Sequence, residues 1–444
     1  MINRLMTVAV AALMFTTAFA QPPPKEQERK LYIGSNSTEA TLEFTGSVQL
    51  ESSRTPQKKT LRKVIESQLE HIVGPMSLAQ YTAVPKGDHS VTDVKVVSKN
   101  GTTITIGYKY TGTIVVQNGP KATYPIYLPV NPATIFAAAM VGTNNPCTDH
   151  HYQSEEDFWY FWSPSHEGCK LKEGKDYTIV NAKIKRFVNS KLSYPEYQNL
   201  PDKNGNITVH ALFGMDDPTL NRNPLNSTDI NARNYRTFRN YLIKNGYTAT
   251  TWSDAEVNAV AKTLDGAAPF VETIQKGKLV YRFFFGPTGI DEDALGFHWF
   301  YKDALENASI MMYEGHSGLG GHLDLDSIES NLGETIKFST RYQIYFFDSC
   351  TSYRYYNTAY FARKITVSDP KGTKKLDVFT NGLATLFNAM PAASQALAVA
   401  LEKALNLAKD GKTLVSYQTL AKQIDSDNLF GINGDEDNVK TKTK

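Results

Sequence analysis

A histidine and a cysteine each close a short apolar run in the second half of this chain. The first run, Ser309 to Glu314 (SIMMYE), leads into Gly315, His316, Ser317 and Gly318; the second, Tyr342 to Phe347, leads into Asp348, Ser349 and Cys350. A cysteine thiol, with an ordinary pKa of about 8.5, is mostly protonated near neutrality, and the thiolate is the nucleophile. An imidazole beside it can take that proton and later give it to a leaving amine. The chemistry open to such a pair is acyl transfer: attack on a carbonyl, a thioester intermediate, then hydrolysis. Gly315, Gly318, Gly320 and Gly321 would let a substrate backbone come close. They would also free backbone N–H groups for an oxyanion, a role expected of the N–H of Cys350 and an N–H of Ser317 or Gly318. Taken singly, the two residues read as a loop histidine and a small buried thiol. Their placement at two strand ends, with glycines beside the histidine, argues for catalysis. His322, six residues on, reads as a surface residue, with the role of proton partner in place of His316 as the alternative.

The elements around them must bring the pair together. From about Asn206 short apolar runs alternate with amphipathic stretches. The runs are Ile207 to Phe213, Leu279 to Phe285, Ile310 to Tyr313, Ile344 to Phe347 and Val378 to Thr380. Helices are expected over 230–244, 292–306, 325–332 and 390–409. That pattern predicts a parallel sheet covered on both faces. Ligands of open α/β sheets bind beyond the carboxyl ends of the strands, which is where His316 and Cys350 would lie. About thirty residues separate them, enough for one crossover through the helix at 325–332.

Before Asn206 strand signals dominate. Val94 to Val97, then Asn100-Gly101, then Ile104, Ile106, Tyr108 and Tyr110 in alternation predict a hairpin. A helix is expected over 60–71 and a strand over 123–130, followed by a loop-rich region to about Leu192. Ser193 to Asn206, with two prolines and a glycine, reads as a linker. The expected fold is therefore α/β, a mostly parallel sheet with helices on both faces over 206–444, preceded by a β-rich domain over 21–200.

The chain has 444 residues, 41% hydrophobic and 21% charged, which suits two folded domains and excludes a mainly disordered protein. Lys and Arg number 47 against 45 Asp and Glu, so a nucleic-acid partner is not expected. Arg4, the apolar stretch Leu5 to Phe15 and Ala18-Phe19-Ala20 have the order of a signal peptide over 1–20. The expected location is extracytoplasmic, periplasmic or secreted, with no stable membrane insertion. Gln21 to Lys30 reads as a Pro-rich arm.

Among the three cysteines, Cys147 and Cys169 flank a loop rich in aromatic residues, and a disulfide between them suits an oxidising compartment. Cys350 is left over. A zinc site built from Asp149, His150, His151 and His166 would follow no standard spacing, and the bridge would consume the thiols, so no metal is expected. Phe158 to Trp162 reads as packing between domains, and Lys183 to Arg186 as a solvated face and a candidate maturation cut. The acidic stretch Asp425 to Glu436 lacks the glycine and oxygen ligands of an EF-hand.

An apolar strand ending in Gly315-His316-Ser317-Gly318, followed by one ending in Asp348-Ser349-Cys350, resembles the caspase-like cysteine peptidases, which include caspases, metacaspases, legumains, clostripain and gingipains. The order and short spacing are most similar to gingipains, and Asp348-Ser349-Cys350 matches the metacaspase block. Leu429 to Asp435 is weakly similar to the close of gingipain catalytic domains. The resemblance covers residues 206 to 435 and implies a caspase-haemoglobinase sheet with His316 as proton carrier and Cys350 as nucleophile. It further implies that Asp348 lines the S1 pocket and selects Arg or Lys in a peptide or protein substrate. The family usually has Gly directly after His, where this chain has Ser317. No cofactor is required, although several relatives use calcium. The expected activity is that of an exported cysteine endopeptidase, with 21 to about 200 as a binding domain or as the pro-domain of a zymogen. Transpeptidation is a variant of the same chemistry. A non-catalytic binding protein on a degenerate copy of the fold is the alternative.

Overall fold

The computed structural model describes residues 32–434, apart from 54–55, 80–82, 188–191, 290–293, 386–389 and 426–428. The signal peptide expected over 1–20, the arm over 21–30 and much of the acidic stretch after Asp425 lie outside the described residues.

The chain forms fourteen strands among the described residues. They are β1 (Tyr32–Gly34), β2 (Ser37–Glu51), β3 (Ala83–Asn100), β4 (Thr103–Gln117), β5 (Thr123–Pro129), β6 (Tyr177–Arg186), β7 (Ile207–Gly214), β8 (Thr248–Thr251), β9 (Phe270–Lys276), β10 (Leu279–Gly286), β11 (Ile310–Glu314), β12 (Gln343–Asp348), β13 (Leu376–Thr380) and β14 (Gly431–Asn433). They make two sheets, of order β3-β4-β2-β6-β5 and β1-β14-β13-β12-β11-β7-β10-β9-β8.

The five-stranded sheet is antiparallel throughout. Alternation drives it: Ile104, Ile106, Tyr108 and Tyr110 of β4 point inward onto the helix Lys58–Glu70, whose Ile65 and Leu69 complete that core. Asn100 pairs with Thr103, so the turn falls on Gly101-Thr102, and Gly101 takes φ +61°, which glycine alone adopts without strain. The region read as loop to Leu192 contains β6, which pairs with both β2 and β5. Its exposed Lys183 and Lys185 alternate with buried Ala182 and half-buried Ile184, and the charged outer face concealed the strand.

The nine-stranded sheet is mixed, not mostly parallel. Its centre, β13-β12-β11-β7-β10, is parallel; β9 and β14 flank it antiparallel, and β8 and β1 pair antiparallel with those two in turn. The cause is local: β9 and β10 are joined by the two-residue turn Gly277-Lys278, and a connection that short closes only an antiparallel pair. Period two in the central strands sends neighbours to opposite faces. Phe213 and Phe283 pack with Tyr235, Phe238 and Leu401 on one side. Leu212 and Phe284 pack with Phe297, Phe300 and Tyr345 on the other. The covering helices include Ile230–Lys244, Leu295–Asn307, Leu325–Leu332 and Met390–Ala404.

The two sheets are fastened together beside the end of β12. Glu39 of β2, buried, accepts from Tyr353 Oη (2.8 Å) and Asn433 Nδ2 (3.1 Å), with Lys86 Nζ 3.6 Å away. Tyr32, Val84, Val115, Tyr353, Leu383 and Leu429 form one apolar cluster across the junction. The Ser193 to Asn206 stretch packs on the second half of the chain: Tyr197 donates to Val415 O (2.9 Å), and Tyr417 N donates to Ser193 O (3.0 Å).

Candidate active site

Three parallel neighbours, β7, β11 and β12, deliver the candidate groups to one end of the sheet. Glu314 pairs with Asp348 in register, so His316 and Cys350 each stand two residues beyond a matched pair. Among the described residues Cys350 is the free cysteine and is half-buried. Its thiol is pushed above the ordinary range, first by burial and further by the Asp348 carboxyl, with backbone hydrogen bonding at Thr385 and at Cys350 itself acting the other way. Thr351, the next residue, takes φ +52°, a conformation costly for a β-branched residue, and the helix Ser352–Tyr355 starts there.

His316 is bonded through Nε2 to Asp216 Oδ1 at 2.7 Å. Asp216, which the sequence reading passed over, follows the tip of β7. Buried Asp229 fixes it: Asp229 Oδ2 accepts from the N–H groups of Asp216 and Asp217 (both 2.9 Å), while its Oδ1 caps the helix Ile230–Lys244 through Asn231 N (2.8 Å). The rule that pointed to His316 and Cys350, a polar residue just beyond an apolar strand, would also have found Asp216.

The loop after His316 is held by phenols. Tyr313 donates to the carbonyl of His316 (2.6 Å), Tyr356 to that of Ser317 (3.0 Å) and Tyr360 to that of Leu323 (2.8 Å). Gly318 and Gly320 have φ +53° and +97°, and Leu319 between them is also left-handed. A Cβ on Gly318 would sit 2.1 Å from the ring of His322, so His322 packs over this loop instead of standing away from it. Ser317, which replaces the glycine usual after the histidine, is buried.

Asp348 is buried, and its Oδ1 accepts from Asn381 Nδ2 and Thr385 Oγ1 (both 2.8 Å). Glu314 beside it is buried, accepts from Ser394 Oγ, and has a second oxygen with no partner. Burial and the neighbouring Asp348 push Glu314 up to about 8, and burial also raises Asp348. No cation among the described residues pairs with either carboxyl.

Cys147 and Cys169 are bridged, and the loop they close lies against the candidate nucleophile. The phenols of Tyr152 and Tyr160 are close enough to Cys350 to feel its charge. Tyr160 bonds to Thr351 Oγ1, and Arg354 lies 5.6 Å from the Trp159 ring. Phe158, Tyr160 and Trp162 are buried, with Trp162 Nε1 donating to His71 O (2.6 Å). The aromatic run thus packs one half of the chain onto the other.

Replacing Cys147 and Cys169 with serine is expected to destabilise the protein by about 3 kcal/mol. It should also speed alkylation of Cys350 by loosening Tyr152 and Tyr160. Urea unfolding and thiol-labelling rates read the two effects.

Among the described residues no helix is long and apolar enough to cross a membrane. Compared with protein-family models, with curated proteins and with solved structures, the chain finds no match.

Proposed function

We propose that this protein is an extracytoplasmic cysteine peptidase of the caspase-like kind, cutting after Arg or Lys. The observation that carries the reading is the placement of His316, bonded to Asp216, and of Cys350, each two residues beyond the paired ends of neighbouring strands. Asp216 holds Nε2, so Nδ1 is the atom that takes the Cys350 proton. The sulfur attacks the peptide carbonyl, and the oxyanion forms toward the N–H of Cys350 and an N–H of Ser317 or Gly318. His316 returns the proton to the leaving amine, and water then hydrolyses the thioester. A bridged loop and a single spare thiol suit an oxidising compartment. Asp348 and Glu314, two buried carboxyls with no cation beside them among the described residues, support a basic side chain as the group that binds there.

The test is a peptidyl acyloxymethyl ketone with Arg at P1. Covalent labelling of Cys350 that requires His316 supports the peptidase. No labelling, with the protein folded, removes it. Asp216→Asn should lower kcat/KM by about a hundredfold, because the amide can no longer hold His316 in the tautomer that leaves Nδ1 for the thiol proton. An unchanged kcat/KM would leave Asp216 outside the mechanism.

One observation favours a non-catalytic binding protein instead: the thiol is raised by burial, with the phenols of Tyr152 and Tyr160 nearby. Opening of that loop separates the readings, since only an enzyme gains turnover from it.

A further inference from the structure

We propose that Asp149, His150 and His151 form a binding site for a borderline divalent transition-metal ion, of which Zn2+ is the type. The proposal is independent of the peptidase reading. One ligand atom from each of the three side chains lies within 4.8 Å of the others. Asp149 Oδ1 is 2.7 Å from His151 Nδ1 and 3.4 Å from His150 Nδ1, and the two imidazoles are 3.6 Å apart, centre to centre. Zinc bonds of about 2.1 Å place the donors of a tetrahedral site roughly 3.4 Å apart, so small side-chain shifts would admit the ion.

A turn stabilised by Asp149 explains part of this. Asp149 Oδ1 accepts the N–H of His151 at 3.0 Å, as in an Asx turn. The turn does not account for His150, whose ring, although largely exposed, has its Nδ1 3.4 Å from the same oxygen. Two imidazoles and a carboxylate exclude calcium and magnesium, which take oxygen ligands, and suit zinc, copper or nickel. Neither cysteine is needed, so the bridge and the site are compatible.

The frame is also preorganised. Gln153 Nε2 donates to Asp149 O and Asn145 O (both 3.2 Å), its Oε1 accepts from Asn145 N (2.9 Å), and Cys147 is tied to Cys169 two residues before Asp149. Holding the ligands in place before binding lowers the ordering cost. The three protein ligands leave a fourth position for water.

The experiment uses the untagged full chain carrying Cys350→Ser, because a free thiol beside a histidine also binds zinc. Zn2+ alone is titrated against a chromophoric chelator. The expected result is one ion per chain, with His150→Ala and His151→Ala each weakening it by at least about tenfold. Both side chains are largely exposed, so thermal melts of the variants should match the parent. Cu2+ in place of Zn2+ should give an electron paramagnetic resonance spectrum with two nitrogen ligands, falling to one in each variant. Unchanged Zn2+ affinity in the double variant, or a Cu2+ spectrum without nitrogen splitting, overturns the site.

Discussion

Replacing Cys350 with alanine is expected to cut the hydrolysis of Arg- and Lys-containing peptides by about 10⁴-fold or more, with the fold intact. Loss of a nucleophile removes the covalent route altogether, and binding plus the oxyanion donors leave only the residual rate seen when a catalytic unit is broken. His316→Ala should give nearly the same loss, and the double variant little more, because the two residues act as one unit. The cysteine substitution is structurally mild: Cys350 is half-buried, and its sulfur lies 4.0 Å from Thr385 O. Peptide cleavage read by mass spectrometry, together with a thermal melt, checks the claim. Equal cleavage by Cys350→Ala and the parent protein would remove it.

The second large effect concerns the carboxyls beneath the pair. Asp348→Asn combined with Glu314→Gln is expected to lower kcat/KM for Arg and Lys at P1 by about a hundredfold or more, because a desolvated cation would lose its partners. Cleavage after uncharged residues should be spared, and an unchanged P1 profile would sink the assignment. Glu314 also predicts a pH effect on stability. Its folded pKa of about 8 stands above its ordinary 4.5, so between those values the folded chain keeps a proton that the unfolded chain releases. Stability from this group is therefore full below pH 4.5 and is lost as the pH rises toward 8, at up to about 1.4 kcal/mol per pH unit. Glu314→Gln should flatten that slope and make the protein relatively more stable at pH 8. Urea unfolding across this range reads it directly, and a slope identical to that of the parent would contradict the burial argument.

The N-terminal half bears on how such a protein would be controlled. Glu39, Tyr32 and Val84 are built into the junction behind Cys350, and β1 completes the edge of the large sheet next to β14. A cut after Arg186 would leave these contacts in place. Release of the thiol would therefore depend on the bridged loop carrying Tyr152 and Tyr160 away from Cys350, more than on loss of the whole segment.

The amino-acid sequence alone determined the local elements. The helices at Ile230–Lys244 and Leu325–Leu332 follow from amphipathic spacing, and the latter has the capping Asp324 and the closing Gly333 that such a helix needs. The apolar strands β7, β10, β11 and β12 are equally legible, because full burial on both faces requires near-continuous apolar runs. Hydropathy has no term for what lies beside a strand, so the antiparallel flanks of the large sheet and the passage of β1 into it were decided by tertiary pairing. β6 was hidden because lysines on its outer face broke the apolar signal. The bond from Asp216 to His316 and the seating of Tyr152 and Tyr160 by Cys350 also belong to the folded chain. Each joins side chains whose orientation or distance in sequence leaves no local trace, and only packing sets which of them share a crevice.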